Sequence, residues 1–217
     1  MRPRASVLVV IPLLAAPALA QNVSPSVGHR VLYVQPLGQC QEPQRGGEAV
    51  QQALSAFYDL EIRLLPCVPL PAVAYYPPRH RYRAERLLDF LKGRMPAGGW
   101  RILGLTATDI STTKGKLVDW GILGLGEMPG TASVISSFRC KKTARSPQHA
   151  IVRLAKVAVH EVGHTLGLPH CPTRGCLMED AVGKVATVDG EHDFCARCRQ
   201  QAARAGCPIK EPVGLPW

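Results

Sequence analysis

The amino-acid sequence predicts an α/β fold, a mixed and mostly parallel sheet with crossover helices. Three observations predict it. Strand-like and helix-like patterns alternate through the first half of the chain. One long amphipathic pattern, Ser146–Leu168, follows them, and a cysteine-rich tail comes after that. At 217 residues, 46% apolar and 19% charged, the chain can bury one core and is not a disordered sequence.

The elements follow in order. Arg30–Pro36 (RVLYVQP) reads as a strand ended by Gly38. Gly46–Tyr58 reads as a helix, with Ala49, Val50, Leu54 and Phe57 on one side, and Leu60–Leu65 as a second strand closed by the proline-rich Pro66–Pro78. Arg81–Lys92 carries Leu87, Leu88 and Leu91 at helical spacing. Arg101–Leu105 and Trp120–Leu125 read as further strands, and Asp109–Lys116 as a polar loop. A helix of nine residues, Cys195–Ala203, is expected near the end. There is no internal repeat.

The first twenty residues, MRPRASVLVVIPLLAAPALA, place two arginines before an uncharged apolar run that ends in small residues. This is the pattern of a secretory signal peptide cut after Ala20. The alternative, a membrane anchor, has only the sixteen uncharged residues Ala5–Ala20, interrupted by Pro12 and Pro17, against the roughly 20 that a span needs. The expectation is a signal peptide over 1–20 and one domain over 21–217, exported to the periplasm or beyond the cell. No other segment is apolar enough to span a membrane. The net charge of +10 comes from short clusters at Arg79–Arg86, Arg139–Arg145 and Arg197–Arg204, read as solvated faces, and nucleic acid is not an expected partner.

The long helix pattern carries the chemistry. His160-Glu161-Val162-Gly163-His164 is H-E-x-x-H, extended through Gly167 to His170. Residues four apart on a helix share a face, so two imidazoles can converge on one zinc. Gly167 can turn the chain in the left-handed conformation, Pro169 prevents the helix from resuming, and His170 can return as third ligand. Three nitrogen ligands leave a fourth position to water, the arrangement of a catalytic site. By chance the full pattern is expected in roughly 3 of 100,000 sequences of this composition. Ala155, Val159, Val162 and Leu166 can bury another face of the same helix. His29, His80, His149 and His192 read as surface or loop residues; of these only His192 is near the cysteines.

Cys171 and Cys176, then Cys195 and Cys198, form a C-x4-C and a C-x2-C pair. That spacing suits a tetrahedral thiolate zinc over a segment 171–198; two disulfides are the competing reading. Cys40 and Cys67 follow the first two strands. If the helix between them is a crossover, those strands are parallel and the two cysteines leave one sheet edge, within disulfide reach. Cys140 would then pair with Cys207 by elimination; free buried thiols are the alternative.

The run HEVGHTLGLPHCPTRGCLM, followed by FCARC, resembles the archaemetzincins, a family of zinc metallopeptidases. Ala74–Pro77, Arg83–Glu85, Gly104–Thr106, Gly124–Glu127 and Val134–Ser136 are similar to the family's earlier blocks, in order. The resemblance implies a metzincin-like fold and two zinc ions, one on His160, His164 and His170 and one on the four cysteines. It also implies Glu161 as general acid and base, and Met178 in the family's methionine position. Met178 is an apolar floor under the histidines or ordinary core packing. Trp120–Glu127 is either the edge strand that receives an extended substrate or a plain sheet strand. The expected partner is a peptide or protein substrate, and the expected state a monomer. The second functional reading is a binding protein that holds zinc without turnover; the presence of Glu161 weighs against it.

Overall fold

The structure, a computed structural model, describes residues 30–39 and 43–211, without the side chains of 43–45. The expected leader, His29 and Cys40 lie outside the described residues. The chain runs β1 (Val31–Leu37), α1 (Pro43–Phe57), β2 (Glu61–Leu64), β3 (Tyr75–Tyr76), β4 (Arg81–Arg83), α2 (Ala84–Arg94) and β5 (Arg101–Thr106). It continues through β6 (Ile110–Lys114), β7 (Leu117–Ile122), β8 (Gly124–Gly126), β9 (Ala132–Ser136), α3 (Ser137–Cys140), α4 (Pro147–Thr165) and α5 (Ala196–Arg204). Among the described residues no helix is long and apolar enough to cross a membrane.

The main sheet has five strands in the order β2-β1-β5-β9-β8. The first four are parallel, and β8 pairs antiparallel with β9 at the edge. Every residue of β1 is buried, because helices cover both faces. Side chains alternate between two core clusters. Leu32, Val34, Leu103, Leu105 and Ile135 join Leu54 and Phe57 of α1 and Leu154, Ala158 and Val162 of α4. Val31, Tyr33, Ile102 and Val134 join Leu87, Leu88 and Leu91 of α2 on the other face. Burying a side chain of this size contributes about 1.5–3 kcal/mol, so the first layer holds α4 firmly against the sheet and the second holds α2.

Several elements depart from the sequence reading. Arg81–Arg83, assigned to the start of a helix, is a strand parallel to β6, and the helix begins at Ala84. Arg81 binds Asp109 at 2.8 Å and Asp119 at 3.0 Å, while Arg83 binds Thr113 at 2.7 Å and the Val118 carbonyl, so cross-strand pairing overrides helical periodicity. The expected polar loop contains β6, whose Thr112 and Thr113 pair it with β7 and with Glu85. Trp120–Leu125 is two strands rather than one: β7 belongs to a four-stranded sheet, β3-β4-β6-β7, and β8 to the main sheet. Arg139, read as solvated, is held by Asp109 at 2.7 Å, and His149 binds Asp189 at 2.7 Å with little exposure.

β1 and β2 are parallel neighbours, and Cys67, beyond β2, is disulfide-bonded. The expected Cys140–Cys207 link is a correction: both are free and fully buried. Cys140, at the end of α3, contacts the carbonyl of Ser136 at the end of β9 and lies beside Arg153, whereas Cys207 lies beside Arg101 and Arg30. The two thiols sit in different parts of the core, each as a small hydrophobe, pushed up to about 12 chiefly by burial.

Candidate active site and cysteine cluster

The site is built on the C-terminal end of α4. Ser146 caps the helix, its hydroxyl accepting from the His149 amide, and Pro147 occupies the first turn. Ala155, Val159, Val162 and Leu166 are buried as their spacing required. The helix stops where expected: Gly167 takes φ +86°, and the Leu168 amide returns to the Gly163 carbonyl at 3.2 Å. That turn carries His170 back over the helix, so that its ring centroid lies 5.4 Å from that of His160 and 4.9 Å from that of His164.

Two of the three imidazoles are oriented by a hydrogen bond through Nδ1, and the third has a carboxylate near it. His160 donates to the Leu177 carbonyl at 2.7 Å and His164 to the Leu168 carbonyl at 2.7 Å, while His170 Nδ1 lies 3.5 Å from Asp180. One nitrogen from each ring lies within 4.8 Å of the others. With Nδ1 engaged, Nε2 is the nitrogen free to bind a metal. Burial pushes His160 down to about 3, helped by the neighbouring His164, and burial also lowers His164. Both rings are therefore neutral at physiological pH, the form a metal requires.

Glu161 is 6% exposed, and its carboxyl lies against Gly124 of β8 on the cleft it shares with the histidines. Burial pushes its carboxyl up to about 8, against a backbone hydrogen bond from Gly126. The edge strand lies tightly on the helix: a Cβ at Gly126 would meet the Glu161 carbonyl oxygen at 2.6 Å and His164 Cβ at 2.9 Å. Met178 is fully buried, and its sulfur lies against Gly163, where a Cβ would meet Sδ at 2.5 Å. It packs beside Phe194, beneath the helix turn that carries both histidines, and so serves as both floor and core.

The four cysteines also converge, their sulfurs all within 4.8 Å of one another. All four are free; Cys171 and Cys195 are 3.7 Å apart, as are Cys176 and Cys198, too far for S–S bonds. At Cys171 burial opposes ionisation, but hydrogen bonds from Thr173 and the other thiols bring it down to about 6. Burial and the crowding of Cys176 drive Cys198 upward. A cluster in which one thiolate forms and the next is suppressed needs a cation to ionise fully, and the donor set fits zinc. His192 is exposed and outside the set.

A cleft of about 490 Å³ runs past the histidines and Glu161 between β7, β8 and the segment 179–191. Three residues on or behind it escaped the sequence reading. Asp180 lies on it, 3.5 Å from His170. Lys156 and Arg153 of α4, both nearly buried, tie down the 3-10 turn Val185–Gly190 that walls the cleft. Lys156 binds the Val188 and Glu191 carbonyls at 3.1 and 2.6 Å, and Arg153 holds Asp189 at 2.7 Å through both Nε and Nη2. Buried cations four and seven residues ahead of His160 were the available signal, masked by an otherwise polar helix face.

A helix-borne H-E-x-x-H with a returning histidine, set under the antiparallel edge strand of a mixed sheet, defines a zinc metallopeptidase. Residues 58–204 match the model of peptidase family M54. The chain belongs to that family, the archaemetzincins. It is 35% identical to the archaemetzincin of Methanopyrus kandleri over 135 residues, 62% of this chain and 73% of that one. The crystal structure of the Methanopyrus kandleri protein superposes with a TM-score of 0.67 at 29% identity, covering 84% of this chain and 98% of that one. A structure described as a zinc-dependent peptidase from Methanocorpusculum labreanum has the same fold, with a TM-score of 0.58 at 21% identity over 77% of this chain and 98% of that one.

Proposed function

We propose that the chain is exported and hydrolyses peptide bonds with Glu161 as general base and then general acid. In this reading one zinc is held by His160, His164 and His170 and a second by Cys171, Cys176, Cys195 and Cys198. The observation that carries the proposal is the place of the Glu161 carboxyl, buried without a cation between the histidine-bearing turn and the backbone of Gly124 and Gly126. Zinc supplies Lewis acidity to the scissile carbonyl and to water when bound there. Glu161 accepts a proton from the attacking water and delivers it to the leaving amine. A desolvated carboxyl with a raised pKa suits both halves of that exchange.

The other residues serve substrate and metal. Among the described residues β8 has a strand partner on one side only, and it lines the cleft, which supports an extended peptide pairing along Gly124–Gly126. Leu177 and Leu168 hold the histidine tautomers, and the cysteine zinc clamps the segment that carries His170 to α5. The apolar leader ending at Ala20 supports export, and the mature protein works as a monomer.

Glu161→Gln tests the central role. The variant keeps two zinc ions and its melting temperature but loses peptide hydrolysis by a factor of about 1,000 or more; undiminished turnover would place the base elsewhere. The intact mass of the exported protein should begin at Gln21, and a retained Met1 would remove the export reading.

A further inference from the structure

We infer that Glu191 forms the base of a side-chain subsite beside His160 and selects peptides that seat a lysine or arginine there, an inference that rests on the peptidase reading above. Glu191 is 2% exposed, yet it lines the cleft together with Val157, Val185 and Val188. Val157 stands one turn ahead of His160 on the same face of α4, which places this part of the cleft next to the histidine cluster. Together these residues give the cleft an apolar wall and a carboxyl. A lysine or arginine side chain has the matching form, an apolar stem with a cation at its tip.

Among the described residues the carboxyl has no hydrogen-bond or ion-pair partner. No hydrogen bond contributes to its state; what acts on it is burial, the charge of Lys156, and the opposing charges of Glu179 and Asp189. Lys156 acts on it by charge alone and makes no ion pair with it: its ammonium donates instead to the carbonyls of Val188, Asp189 and Glu191 at 3.1, 3.4 and 2.6 Å. The other groups facing it are committed too. Glu179 accepts from the Gly175 amide at 2.8 Å, and Asp189 is held by Arg153. A buried carboxyl left without a donor is costly, and burial pushes this one up to about 8. A cation arriving from the cleft removes that cost and displaces the proton.

The test uses the full zinc-loaded protein and pairs of peptides that differ only by lysine or its uncharged near-isostere norleucine beside the scissile bond. Binding is measured by calorimetry in the Glu161→Gln background, where no peptide is consumed. The lysine peptide should bind about tenfold tighter, with release of a proton, and Glu191→Gln should cut the preference to within about twofold. Equal binding of the two peptides, or a preference that survives Glu191→Gln, would overturn the inference. Should the Glu191→Gln protein not fold, cleavage of a mixed peptide library by the unaltered protein decides: no enrichment of lysine or arginine beside the cut bond overturns it equally. A protein that cleaves without basic preference removes only this subsite. One that cleaves nothing, yet still prefers the lysine peptide through Glu191, removes only the peptidase reading.

Discussion

A Cβ on Gly124 would stand 2.6 Å from Oε1 of Glu161, so the edge strand and the acid occupy neighbouring space with nothing between them. The absence of a side chain at that one strand position lets the carboxyl sit beside the histidines.

Gly124→Ala should therefore displace Glu161 while sparing the metal ligands. Displacing a reacting group by about 1 Å costs roughly 100-fold in rate. The expected outcome is a fall of that order in kcat/KM with zinc content unchanged and melting temperature lowered by only a few degrees. Full activity in the variant would show that the strand yields easily and that the close approach is incidental.

Cys176→Ser should reduce bound zinc from two ions per chain to one and lower the melting temperature by about 10 °C or more, because the cysteine segment gains its order from the metal. Metal analysis by mass spectrometry with a thermal scan checks both. Unchanged zinc content would exclude Cys176 as a ligand.

Acid should erode the tie between α4 and the cleft wall. The Arg153 guanidinium holds the Asp189 carboxyl well below the usual carboxylate range, burial opposes this, and His149 adds to it. Since the folded pKa is depressed, the stabilisation is present above the unfolded value of about 3.9 and is lost as pH falls through the folded one. Asp189→Asn should be less stable than the parent at pH 7 by about 1–3 kcal/mol, and the gap should close below about pH 4. Paired melts across that range, at saturating zinc, measure it. A gap independent of pH would mean that the pair contributes packing rather than charge.

Thiol counting tests the redox reading. After chelation and denaturation without reductant, six thiols should react: Cys140, Cys171, Cys176, Cys195, Cys198 and Cys207. A count of four, with Cys140 mapped to Cys207, would restore the link that the structure does not contain.

The parts of the molecule governed by short sequence spacing were legible in advance. His160, His164 and His170 depend on one helix turn and one glycine, and Cys171 through Cys198 on two short spacings, so their convergence needs little tertiary information. β1, β5 and α1 were readable because buried parallel strands and one amphipathic helix carry strong patterns, and β2 because its short apolar run stands between α1 and a proline-rich stretch. What failed depends on distant partners. Arg81 and Arg83 look like a helix start until Asp109, Asp119 and Thr113 are placed across from them. Leu123 separates two strands of different sheets within an unbroken apolar run. Cys140 and Cys207 were paired by elimination, an argument blind to where each one packs. Lys156 and Glu191 are invisible to any motif, since their meaning comes from burial alone.

The sequence step from His170 to Cys171 joins the two ligand sets with no residue between them. The two clusters therefore share one stretch of backbone, and any order imposed on Cys171 is imposed on His170 as well. A chain bent to gather the four thiols is already bent to present the third imidazole.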